Sequence, residues 1–258
     1  MMSPAAQYHA FRTLLAKEMR RFLRIWVQTV LPSGITTALY FLIFGGLIGP
    51  RVGEMGGHDF MTYIMPGLIM MAVINNAYAN VVSSFYGAKF QRSVEEMLVS
   101  PMPNYLILGG YIAGGVARGL IVGAVVTAVA LFFTDIRPAD PVLTIATVLL
   151  TAILFALGGF INAVYANSFD DISIVPTFVL TPLTYLGGVF YSIELLPEPW
   201  QTISLINPIL YMVNAFRAGM LGSSDVPAGV AVAVMAVFIA GLSFVCLELL
   251  RRGVGLRS

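Results

Sequence analysis

Catalysis needs reactive side chains brought together, and this sequence keeps them apart. Its two histidines are His9, in a mixed amphipathic stretch, and His58, in a polar loop. Most of the acids also fall in short polar loops. There is no G-x-x-x-x-G-K-[ST] phosphate loop, so the chain has no usual means of holding ATP. The lone cysteine, Cys246, lies in an apolar run and reads as a small hydrophobe, not as a metal ligand or half of an intrachain disulfide. No catalytic residue and no metal site is assigned, which argues against an enzyme. The polar groups of interest sit inside apolar runs instead: Arg118, with Asn75, Asn76, Asn80 and Asn162.

The elements that position them follow from composition. Of 258 residues, 58% are hydrophobic and 10% charged, where a soluble domain carries about 25% charged. The charges cluster between long uncharged stretches, the pattern of a chain whose solvent is lipid. Net charge is +1, so no global field attracts nucleic acid. The first long apolar run lacks a small-residue cleavage site and reads as a span that stays. The reading is a single all-α membrane domain, 1–258, with six spans near 27–49, 61–85, 105–133, 141–166, 172–191 and 226–250.

Before the first span, residues 5–26 form an amphipathic helix. Tyr8, Phe11, Leu15, Met19, Phe22 and Trp26 share one face, with Lys17, Arg20, Arg21 and Arg24 largely opposite; Arg12 and Glu18 fit the split less well. An interfacial helix with its basic side toward headgroups is expected, a soluble tail helix being the alternative. Between the last two spans, 192–225 holds Glu194, Pro197, Pro199, Asn207, Pro208, Tyr211, Asn214 and Arg217. Asn207-Pro208 is a helix start. Irregular backbone is not viable against lipid, so two short helices that dip in and return are expected, a seventh span being the alternative. Charge decides between them. With six spans, ten basic residues, Arg257 among them, fall inside and three outside. The positive-inside rule therefore favours six spans with both termini cytoplasmic.

A charge at membrane depth must face protein or water. Two readings of Arg118 stand: a pathway residue that meets an anionic substrate, or a tether to polar neighbours. The asparagines line a route or, the favoured reading, bond helices together. In the third span, Gly110 with Gly114, and Gly115 with Gly119 and Gly123, make rows that let helices approach closely, within the chain or across a dimer. Between spans two and three, 87–103 carries both charge signs with Phe90, Val94, Met97 and Leu98 at helical spacing, ended by Pro101 and Pro103. It reads as a cytoplasmic amphipathic helix that either lies flat on the membrane or docks into a soluble partner.

These residues resemble a known family. Gly87-Ala88-Lys89-Phe90-Gln91-Arg92 leading to Glu95-Glu96 and Pro101, Phe169-Asp170-Asp171-Ile172-Ser173, the run from Thr181 to Tyr191, and Asn207-Pro208-Ile209-Leu210-Tyr211 before Phe216-Arg217 are similar to ABC-2 type transport permeases, and within them to a bacterial inner-membrane group. The resemblance covers essentially the whole chain. It implies that 5–26 is a connecting helix along the membrane surface. It makes Lys89, Phe90, Gln91, Arg92, Glu95, Glu96, Met97 and Leu98 a coupling helix seated in an ATPase. It makes 192–225 an outside re-entrant pair that closes the exit. It implies two permease copies with two separate ABC-type ATPase subunits, ATP and Mg being bound by those partners and no cofactor by this chain. Substrates associated with such permeases are drugs, lipids, polysaccharides and lipo-oligosaccharides; the apolar spans favour an amphipathic or lipid-linked one. The alternatives are an autonomous channel or ion-coupled secondary carrier, which Glu248 near a span end supports poorly, and a membrane anchor that recruits a partner without transport.

Overall fold

Apolar helices joined by short capped turns make up the protein, seen here in a computed structural model describing residues 2–135 and 137–255. Ile136 in the third loop, and Leu256, Arg257 and Ser258 in the tail, lie outside these residues. Helix α1 is Pro4–Arg24; the Ser3 hydroxyl accepts from the Ala6 amide and Pro4 occupies the first turn. Helix α2 is Trp26–Val52, wound as a π-helix over Phe41–Ile48. A two-stranded hairpin follows, β1 Glu54–Met55 and β2 His58–Asp59. Gly56 and Gly57 turn it with φ of 58° and 78°, values that favour glycine.

Asp59 then caps α3, Phe60–Phe90, through the Met61 amide. This helix is 31 residues long and the most buried of the five long apolar helices. Helix α4 is Ser93–Val99 and α5 is Asn104–Ala130. Helix α6, Pro141–Tyr165, starts on the Asp140 carboxylate and a first-turn proline. Helix α7 covers 171–185, with a π-turn at Pro176–Leu180. Helix α8 is Glu198–Ile206, α9 is Pro208–Leu221 and α10 is Ala228–Arg252.

Five of these, α2, α3, α5, α6 and α10, are long and apolar enough to cross a membrane. Their ends gather into two groups. At one end the last turn of α3, the close of α6 and the close of α10 meet: Lys89 Nζ donates to Val164 O, and Gly255 packs on that same carbonyl. At the other end His58 Nε2 lies 3.1 Å from Ser223 Oγ, and the Ala139 amide donates to Met220 O.

Three expectations are corrected. The fifth run is helical only to Tyr185, well short of 191. Gly188 takes a φ of +70°, and Gly187 sits so close to Ile209 that an alanine Cβ would stand 2.8 Å from its Cγ2. Helix α7 by itself reaches about 22 Å, less than the ~30 Å of hydrocarbon.

The segment 89–98 is likewise not one helix. Lys89 and Phe90 finish α3, Gln91 and Arg92 turn, and α4 begins afresh at Ser93. Arg92 sits in the left-handed region with φ of 60°, which costs a non-glycine residue about 1 kcal/mol.

The buried face of α1 also differs from the predicted stripe. It is Leu14, Glu18 and Phe22, while Tyr8 and Trp26 are exposed. Polar partners inside the bundle draw Glu18 inward. Contacts pair Gln7 with Tyr105, Phe11 with Gly109, Leu14 with Gly110 and Glu18 with Gly114. That near-constant offset means α1 runs beside α5 in the same direction, with Arg21 turned into the bundle and not toward headgroups.

Candidate functional site

Three polar groupings interrupt the apolar packing. The first lies where α1, α2 and α5 meet α3. Asn76, Asn80, Ser83 and Ser84 recur one turn apart along α3 and so share a face. Asn76 Nδ2 donates to Ser33 Oγ (3.1 Å) and to Ala72 O (3.0 Å). Its Oδ1 accepts from Arg118 Nε (3.2 Å) and Nη2 (3.0 Å). Arg21 Nη2 donates to both Asn80 O and Asn80 Oδ1 at 2.8 Å. Ser84 Oγ donates to Glu18 Oε1 at 2.7 Å, and Arg21 Nε stands 3.5 Å from Glu18 Oε2. Arg118 is thus tethered to a neutral amide, and a carboxylate one turn away balances Arg21 instead.

The glycine rows explain how these groups come together. Gly110 and Gly114 receive α1: an alanine Cβ at 114 would stand 2.6 Å from Glu18 Cβ. Gly115, Gly119 and Gly123 receive α3: a Cβ at 115 would stand 3.0 Å from Ala77 O and one at 119 would stand 3.3 Å from Val73 O. The two rows therefore serve two different neighbours of one helix, both within the chain. Asn75 faces outward, and Asn162 Nδ2 donates to Ile172 O at 3.3 Å, joining α6 to α7.

The second grouping is the corner 87–103. Lys89 Nζ donates to Val164 O and Ala166 O, each at 2.7 Å, so it caps the end of α6. Val94 is buried, and Met97 and Leu98 pack on the core. What faces outward is Phe90, Gln91, Arg92, Glu96 and Val99, with Phe90 and Val99 at 66% and 87% exposure. Phe90 and Tyr86 both meet Phe169, at centroid distances of 5.2 Å and 4.9 Å. The turn at Asp171, whose carboxylate accepts from the Asn167 and Ser168 amides, therefore belongs to the same corner. Hydrogen bonds to a charged donor are worth about 1.5–3 kcal/mol in favourable cases. Lys89→Met should thus lower stability by about 2 kcal/mol and expose the 166–170 turn to protease. Differential scanning fluorimetry with limited proteolysis checks both effects.

The third grouping surrounds α9. Asn207 caps it, its Oδ1 accepting from the Ile209 amide, while Nδ2 donates to Leu183 O at 2.6 Å. Pro208 fills the first turn, and Tyr211 Oη donates to Leu205 O. Arg217 is fully buried. Its Nη2 donates to Gly188 O at 2.6 Å and its guanidinium carbon lies 4.0 Å from the Tyr63 ring centroid. Nearby, Asp225 accepts from the Ser192 hydroxyl and the Ile193 amide, and its own amide donates to Asn214 Oδ1. These contacts lock the turn after α7 to α9 and to the loop before α10.

Sequence reasoning missed Glu18, Arg21, Tyr63, Asp225 and Ser192 as site members. A signal existed for Glu18: it lies midway between Leu14 and Phe22 at intervals of four. Tyr63, Asp225 and Ser192 come from three distant segments and had none. Among the described residues no cluster of histidine, cysteine and acidic side chains could hold a metal ion. Glu248 is taken up by Arg251 and Arg252 at the end of α10.

Comparison with known proteins agrees with this architecture. Residues 9–221 match the model of the ABC-2 type transporter family. The chain is 57% identical, over 96% of its length and 97% of the relative's, to the inner membrane transport permease YadH of Escherichia coli K12. More distant similarity is to nodulation protein J of Rhizobium leguminosarum bv. trifolii, 25% identical over 83% of this chain and 82% of that one. With the match running from within α1 to the last residue of α9, more than half of the chain, this chain belongs to the ABC-2 type transporter family.

Proposed function

We propose that this ABC-2 permease is the membrane half of an ATP-driven exporter in a bacterial inner membrane. It would work as two copies with two separate ABC-type ATPase subunits, which bind ATP and Mg. Substrate would move from the cytoplasmic side or inner leaflet outward.

A sixth crossing is part of this reading. The close of α6 shares an end with Lys89, whereas Ser223 shares the other end with His58. The chain must traverse the bundle between them, and α7 is the helix available. Residues 187–189, which extend it, are buried and so tolerable at membrane depth. The basic residues of α1, Lys89, Arg92, Arg251 and Arg252 favour the end that holds both termini as cytoplasmic. The buried helix α9, locked through Arg217, suits a re-entrant element that closes the exit.

The observation that carries the coupling role is the corner at α4. Its outward face mixes apolar Phe90 and Val99 with Arg92 and Glu96, on a base fixed by Lys89 and the buried Val94. Exposed charges of both signs between exposed apolar side chains suit a docking knob, giving register without strong adhesion. A strained residue, Arg92, at the hinge of that knob is where function-linked strain is found.

The test is charge reversal, Glu95→Lys with Glu96→Lys, in the permease co-purified with its ATPase. Transport-coupled ATPase activity should fall by about tenfold, which corresponds to about 1.4 kcal/mol at the interface. The permease should still insert and elute as wild type. Unchanged coupling would remove α4 from the interface. A homogeneous permease that never co-purifies with an ATPase would shift the reading to an autonomous carrier.

A further inference from the structure

We propose that the junction of α1, α3 and α5 binds the phosphate or carboxylate of an anionic amphipath, with Arg118 as its deep ligand and Arg21 and Lys17 nearer the surface. That the ligand comes from the cytoplasmic leaflet rests on the orientation proposed above. The site itself does not depend on that orientation or on an ATPase partner.

The first argument is charge. Both hydrogen bonds of Arg118 go to one neutral amide oxygen, Asn76 Oδ1. Its third nitrogen, Nη1, makes no hydrogen bond within the described residues, and it is not sealed from the surface. Arg21, another cation, binds Asn80 one turn along α3 from the Asn76 that holds Arg118, and acts on Arg118 electrostatically. Lys17 adds a third, its Nζ standing 5.6 Å from the Tyr111 ring centroid. Glu18 supplies the carboxylate for this group, and it is already engaged by Ser84 and Arg21. Among the described residues, three cations against one carboxylate leave two positive charges without a counter-charge here. A guanidinium at membrane depth is costly in that condition. An anion with several acceptor oxygens removes the cost, and guanidinium groups match phosphate and carboxylate in geometry.

The second argument is an unsatisfied donor. Asn80 is fully buried, and its Nδ2 has no acceptor among the described residues. It lies 3.4 Å from where a Cβ on Gly114 would stand. Gly114 is one turn from Arg118 on the same side of α5.

The third argument is position. Arg118 lies fourteen residues from Asn104 in α5, and Asn76 fourteen from Phe90 in α3. Both are thus about 21 Å from that end of the bundle. That is near the midpoints of helices about 40 and 46 Å long; with their excess over the ~30 Å of hydrocarbon projecting at the end that bears the α4 corner, the site falls within the adjoining leaflet. The elbow beside it exposes Trp26, Val27 and Leu31. A ligand there brings a charged head to the arginines and an apolar tail to that surface.

The two tryptophans allow a direct reading, because Trp200→Phe leaves Trp26, at the elbow, as sole reporter. The full-length permease alone would be placed in phosphatidylcholine nanodiscs. Brominated phosphatidylglycerol or brominated phosphatidylcholine would be added at equal fractions, and Trp26 quenching measured. Phosphatidylglycerol should associate more tightly by about fivefold for each cation engaged. Arg118→Gln with Lys17→Gln should bring the preference to about one, whereas Arg118→Lys should keep most of it. Arg137→Gln, in the loop at the opposite end, should change nothing. Displacement of brominated phosphatidylglycerol by inorganic phosphate would mean that head-group chemistry suffices from either source; resistance to it would make the lipid the source. Equal quenching by the two lipids, or a preference that survives the double substitution, overturns the proposal. Since no ATPase is present, that failure is distinct from a failure of the exporter reading.

Discussion

Gly159→Ala is expected to destabilise the bundle, while Gly158→Ala beside it is tolerated. Both sit in α6, and both gain about the same helix propensity, up to 1 kcal/mol. They differ in what a methyl group meets. At 159 the new Cβ would stand 2.6 Å from Tyr78 O, a backbone atom of α3 that cannot rotate away. At 158 the nearest atom is Tyr78 Cε2 at 3.8 Å, an ordinary contact. Overpacking of that kind costs about 1–3 kcal/mol, and more when backbone must move. A midpoint lower by about 4–8 °C is expected for Gly159→Ala in scanning fluorimetry, with Gly158→Ala within about 2 °C of wild type. Equal shifts would mean that α3 and α6 are not held at this separation.

Glu18→Leu should have a similarly large effect by a different cause. The substitution suits an apolar face, so a hydrophobicity count would predict no harm. Yet it leaves Arg21 in the bundle without its carboxylate and Ser84 without its acceptor. Breaking one side of a buried pair costs about 3–5 kcal/mol. The lower end is expected here, because the Arg21 side chain keeps 29% exposure and its bonds to Asn80. Early protease release of α1 would report the loss. Glu18→Leu combined with Arg21→Met should recover much of it, since a buried pair exchanged whole for apolar groups is often nearly neutral. A double variant as damaged as the single would mean that the carboxylate acts through something other than Arg21.

The long apolar helices were legible in the sequence because lipid makes composition a strong signal: four of the six expected runs hold nearly at their expected bounds. Asn207-Pro208 was legible because capping is local chemistry. The end of the fifth run was not, because its helix stops where Gly187 meets Ile209 and Arg217 takes the Gly188 carbonyl. Those are contacts with residues far along the chain, and hydropathy is blind to them. The expected stripe on α1 failed for a related reason. Periodicity weighs every apolar residue alike, whereas Glu18 is held inside by Ser84 on another helix. In the corner 87–103 the spacing of Phe90 with Val94, Met97 and Leu98 was real, but one residue, Arg92, leaves the helical region and divides it. The cluster of Arg118, Arg21 and Asn80 was half visible. Its members stand out singly along the chain, but only the fold sets them on adjoining turns of three helices.

Helix α6 is fastened by hydrogen bonds to main-chain carbonyls at both extremities. Lys89 holds its final carbonyls, and at its start the Asp140 amide donates to Gly219 O at 2.8 Å, with Gly219 seated against Thr144. Between these fastenings it runs unbroken for 25 residues, about 37 Å. Helices α2 and α7 each contain a π-helical stretch, where a turn can take up slack. In mechanical terms α6 is a stiff strut pinned at both ends, set among compliant neighbours. An axial load on the corner beside Lys89 would have a direct path through α6 to α9, while the same load entering through α2 or α7 would first meet their π-helical turns.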